Sequence, residues 1–111
     1  MPRTSKKPGS DMSVAVGVCR VILRLPENHS LKGKRQVIRS VTTRLHGRFN
    51  VSVAEVGSND SWQIVELGIS CVANDDKHAG EVLASVVYFV ENERLDAELL
   101  DVETEVFRAL D

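Results

Sequence analysis

From Ser13 to Arg108 the spacing of apolar residues switches back and forth between a period of two and a period near 3.6, and that switching leaves few folds open. Ser13 to Leu25 reads as a strand. Ala15, Cys19, Val21, Leu23 and Leu25 fall on one face, and Val14, Val16, Val18, Arg20, Ile22 and Arg24 on the other. Pro26 ends it. Ser30 is placed to cap a helix reaching about Phe49, in which Leu31, Val37, Ile38, Val41, Leu45 and Phe49 share an arc of about 120°. Val51 to Gly57 is a second, short strand, and Ser58-Asn59-Asp60-Ser61 has the composition of a turn.

Trp62 to Ala73 is the third strand, with Val65, Leu67, Ile69, Cys71 and Ala73 inward and Ile64, Glu66, Gly68, Ser70 and Val72 outward. Asn74-Asp75-Asp76 caps a second helix whose stripe is Ala79, Val82, Leu83, Val86, Phe89 and Val90. Leu99 to Arg108 is the last strand, with Leu100, Val102, Thr104 and Val106 expected inward and Asp101, Glu103 and Glu105 outward. The order βαββαβ predicts an α+β, ferredoxin-like sandwich: a four-stranded antiparallel sheet with both helices on one face. The first and last strands are then neighbours, so Arg20 and Arg24 meet the outward acids across the strand pair.

At 111 residues the chain is expected to form one domain, from Met12 to Asp111, behind a disordered basic tail at residues 1–11 holding Arg3, Lys6 and Lys7. No apolar run approaches the roughly 18 residues of a membrane span, so the expectation is a cytoplasmic protein with no membrane partner. Cys19 and Cys71 sit far apart in strand-like runs and are expected as buried thiols.

The net charge of −2 hides an asymmetry: residues 1–54 hold 11 Lys or Arg against 2 Asp or Glu, and residues 55–111 hold 3 against 14. Such a split fits a polyanion partner for the basic half, and equally fits two halves that neutralise each other on folding. Its focus is Ser30-Leu31-Lys32-Gly33-Lys34-Arg35. Three cations crowd a first helical turn whose dipole favours acids, at a cost of about 0.3–1 kcal/mol each. A phosphate held by backbone N–H groups, Lys34 and Arg35 would reverse that cost. Lys32, Lys34, Arg35 and Arg39 are therefore the candidate polyanion contacts, with His29 and Trp62 as possible partner contacts. Lys34 alone has an azimuth inside the apolar arc, so it either snorkels outward or points at something negative.

SLKGKR (30–35), RFNVSVAEV (48–56), Trp62-Gln63, Leu67-Gly68 and LLDVETEV (99–106) closely resemble the YlxP-like bacterial proteins, over about Val14 to Val106. The resemblance implies a ferredoxin-like fold and a cytoplasmic bacterial protein without an established biochemical function. It also implies a place near the ribosome by association, because genes of the family often lie between those of translation initiation factor two and a ribosome-binding factor.

These features point to a non-enzymatic binding protein, with RNA or a ribosomal particle as partner, and with no cofactor or metal. Asp75, Asp76 and His78 are metal-capable but are better explained by helix capping. The outward apolar row Val14, Val16, Val18 and Ile22, with Ile64 and Val72, suggests instead a homodimer or docked partner on the open sheet face. An acylphosphatase-like hydrolase using Arg35 and Asn50 is a remote third reading, from fold analogy alone.

Overall fold

The computed structural model describes residues 13–110, so the expected basic tail at 1–11 lies outside the described residues. The elements run β1 (Val14–Arg24), α1 (Leu31–Arg48), β2 (Ser52–Gly57), β3 (Ile64–Ala73), α2 (Asp76–Asn92) and β4 (Glu98–Ala109). The strands form one sheet in the order β2-β3-β1-β4, and every neighbouring pair is antiparallel. This is the ferredoxin-like α+β sandwich that the alternating periods predict. Among the described residues no helix is long and apolar enough to cross a membrane.

The alternation of β1 sorts its side chains as expected. Ala15, Cys19, Val21 and Leu23 are buried with Val65, Leu67, Ile69 and Cys71 of β3, beneath Val41 and Leu45 of α1 and Ala79, Leu83, Val86, Phe89 and Val90 of α2. Gly17 allows the second helix to come this close: a Cβ there would meet Cys71 Sγ at 2.9 Å and Leu83 Cγ at 3.0 Å. Asp75 caps α2 by accepting a hydrogen bond from His78 N–H at 2.8 Å. The C-terminal ends of the helices meet, with Phe49 edge-on to Phe89 at 6.0 Å and the Arg48 guanidinium 5.0 Å above the Phe89 ring. Arg44 Nη1 donates to the Arg94 carbonyl at 2.7 Å.

The last strand departs from its expected phase. Ile22 pairs with Asp101 but Leu23 pairs with Leu99, so Leu100 is the extra residue of a β-bulge. Leu99 packs against the core in its place, and Leu100, expected inward, is 47% exposed. Beyond the bulge Val102 returns to the helix-facing side and packs against the core. Trp62 also departs from expectation: it lies in the turn before β3, which begins at Ile64, rather than in the strand.

Candidate anion-binding face of the first helix

The SLKGKR segment divides into residues that hold the fold together and residues that face solvent. Ser30 Oγ accepts from Gly33 N–H at 3.0 Å, as an N-cap should. Gly33 has no Cβ to collide with Asn28 Oδ1, which occupies the space a side chain would need. Freed to sit there, Asn28 donates through Nδ2 to the Ser30 carbonyl at 2.7 Å and to the Trp62 carbonyl at 2.5 Å. Gln63 braces the same corner from the other side, its backbone carbonyl accepting from Leu25 N–H at 2.7 Å and its Nε2 donating to the Pro26 carbonyl at 3.3 Å.

Lys34 completes this corner and is corrected from a surface contact to an internal one. It is 2% exposed, and its Nζ donates to the carbonyls of Ser58 at 2.6 Å and Ser61 at 2.8 Å. The same ammonium lies 2.9 Å from Glu55 Oε2, whose side chain projects from the helix-facing side of β2. Of its two sequence-level alternatives, pointing at a negative group is the one realised. With Lys34 turned inward and the Gly33 N–H capped, the phosphate cradle of backbone N–H groups, Lys34 and Arg35 does not form.

What remains outward is a row. At about 100° per residue Lys32, Arg35, Arg39 and His46 fall within an arc of about 60°, all exposed. No Asp or Glu occurs anywhere in α1. Among the described residues Lys32, Arg35 and Arg39 form no ion pair, whereas every other Lys or Arg of β1, α1 and β4 is engaged. Arg20 pairs with Glu103, Arg24 with Glu98 at 2.8 Å, Arg48 with Glu93 at 4.0 Å and Arg108 with Asp76 at 3.4 Å. Trp62, 54% exposed, stands in the β2–β3 turn to which Lys34 is tied, and His29 is exposed one residue before the cap.

The other surfaces are less suited to a polyanion. On the open sheet face both arginines are consumed by Glu103 and Glu98, leaving Glu66, Asp101 and Glu105 in excess. Its one aromatic side chain is Phe107, on the edge strand, opposite Val16. A cavity of about 600 Å³ between the β1–α1 loop and the segment before β4 is rimmed by Glu27, Asp96 and Glu98, which repel phosphate. Arg35 and Asn50 lie at opposite ends of α1, about 20 Å apart at 1.5 Å per residue, so the residues of the hydrolase analogy are not brought together. Asp75 caps its helix and Asp76 pairs with Arg108.

Sequence reasoning missed Asn28, Glu55, Ser58, Ser61 and Gln63. Their roles depend on contacts between segments 21 to 37 residues apart, to which hydrophobic period is blind. The charged side chain of Lys34 on an otherwise apolar arc is the one local signal of this network.

Residues 16–104 match the family described as "Protein of unknown function (DUF503)". Over 69 residues the chain is 41% identical to the uncharacterized protein YlxP of Bacillus subtilis (strain 168), a stretch covering 59% of this chain and 75% of that protein. The chain belongs to this YlxP family of proteins of unknown function.

Proposed function

We propose that this protein binds structured RNA, of the kind a ribosomal particle presents, through the exposed face of α1. The observation that supports the reading most is the contrast among cations. Among the described residues Lys32, Arg35 and Arg39 stay unpaired on an acid-free helix, while the remaining Lys and Arg of β1, α1 and β4 are held by carboxylates or carbonyls. Three like charges on one helical face repel by a few tenths of a kcal/mol per pair, and a row of phosphates removes that repulsion. Trp62 and His29, exposed at the N-terminal end of α1, would extend the contact surface. Crosslinking in cells followed by identification of bound RNA tests this directly. Recovery of RNA with crosslinks mapping to α1 is expected, and recovery of protein alone contradicts it.

A second reading, a homodimer through the open sheet face, is favoured by one row of side chains. Val72, 73% exposed, lies beside Val16, which lies beside Phe107. Light scattering on the purified protein separates the two readings, because a monomer at high concentration contradicts the dimer and leaves the RNA reading intact.

A further inference from the structure

We infer that the nucleic acid taken by α1 is an A-form RNA duplex, recognised by its backbone and 2′-hydroxyls rather than by base stacking; this rests on the RNA reading above. The cations Lys32, Arg35 and Arg39 run straight along a rigid element over about 10 Å at 1.5 Å per residue, and the polar ring of His46 continues their line to about 21 Å. A fixed line of charge suits the fixed phosphate array of a duplex, whereas a single strand is usually tracked by a groove with stacking platforms.

The row is poor in such platforms. No Phe, Tyr or Trp lies within α1, whose one ring is the imidazole of His46 at its far end, and Trp62, Tyr88 and Phe107 stand on a turn, on α2 and on β4 respectively. Bases splayed from a single strand would find no Phe, Tyr or Trp on the helix that carries the cations. The sheet face, where this architecture could display stacking rings on its central strands, offers Arg20, Ile22, Gly68 and Ser70 there and carries excess carboxylate.

The second half of the inference comes from what lies beside the row. Gln36, Ser40 and Thr43 occupy the adjoining strip of α1, exposed. Between the long side chains of Arg39 and Arg44 they line a shallow depression of about 410 Å³. Hydroxyls and an amide both donate and accept, and so match the 2′-OH groups displayed across the wide, shallow minor groove of A-form RNA. A B-form DNA duplex of the same sequence offers the phosphates but not these partners.

Fluorescence anisotropy at fixed salt, with the full chain and three labelled probes of one sequence, tests this: an RNA duplex, its separated unstructured strand, and the matching DNA duplex. The RNA duplex is expected to bind tightest, by about tenfold over DNA, the equivalent of one or two neutral hydrogen bonds. Ser40→Ala/Thr43→Ala raises helix propensity, so it folds, and is expected to narrow the RNA-over-DNA ratio below about threefold. Single-stranded RNA binding as tightly as the duplex, or DNA binding as tightly as RNA, overturns the inference while leaving RNA binding in place. Absence of binding to all three probes overturns the RNA reading itself.

Discussion

The ammonium of Lys34 stands 2.9 Å from the carboxylate of Glu55, joining the first turn of α1 to the inner side of β2. A residue that looks in sequence like one more member of a cationic cluster is the keystone of the corner where the β1–α1 loop, α1 and the β2–β3 turn meet. The pair is nearly dry on the lysine side, and the ammonium donates its hydrogen bonds to two carbonyls. Such a group costs little while every partner is present and much when one is removed.

Lys34→Met is therefore expected to destabilise the fold by about 3–5 kcal/mol, because it leaves the Glu55 carboxylate without its counter-charge and two turn carbonyls without their donor. Urea unfolding measures this. Lys34→Met/Glu55→Leu should recover part of the loss, since an apolar pair no longer strands a charge. Arg39→Glu, on the exposed row, should lie within about 0.5 kcal/mol of wild type.

Two helical glycines should respond in opposite ways to alanine. Gly80 in α2 has open space where a Cβ would stand, so Gly80→Ala is expected to stabilise by about 0.5–1 kcal/mol. Gly33→Ala instead displaces Asn28 and costs it the hydrogen bonds to the Ser30 and Trp62 carbonyls, outweighing the helical gain. Thermal unfolding of the two variants reads the difference in sign.

The bulge in β4 makes neighbouring leucines unequal. Leu99→Ala should cost about 2 kcal/mol, because Leu99 packs against the core, and Leu100→Thr should cost under about 1 kcal/mol. A larger loss at Leu100 than at Leu99 would mean that the strand keeps an unbroken alternation.

Both thiols should be inert in the native state. Cys19 and Cys71 are buried and unbridged, and burial pushes the Cys19 thiol above its ordinary range, disfavouring the reactive thiolate. An aromatic disulfide reagent is expected to label neither cysteine quickly in native protein and both after unfolding in urea.

Particular residues show how far the sequence could be read. The alternation of β1 and the stripes of both helices specify which faces are buried, because burial of one face is what the period encodes. That Arg20 meets an outward acid of β4 is legible too, since the βαββαβ order makes β1 and β4 neighbours, whereas Arg24 pairs with Glu98, one residue before the expected start of that strand. The Leu100 bulge was not, for LLDVETEV reads as a plain alternation and the extra residue is visible only against its partner strand. In the candidate site the exposed row was legible from azimuth alone. The inward turn of Lys34 was legible only as a conflict, because its resolution required Glu55 and the β2–β3 turn to arrive from elsewhere in the chain.

The central claim, that Lys32, Arg35 and Arg39 form a phosphate-binding row, is tested most directly by the salt dependence of RNA affinity in wild type and in Lys32→Glu/Arg35→Glu/Arg39→Glu. Three phosphate contacts give a slope near −2.7 in log K against log salt, a loss of about 40-fold between 50 and 200 mM. The triple variant, folded by circular dichroism, should show no binding across that range. Wild-type affinity that is flat with salt, or a charge-reversed variant that still binds, would contradict the account.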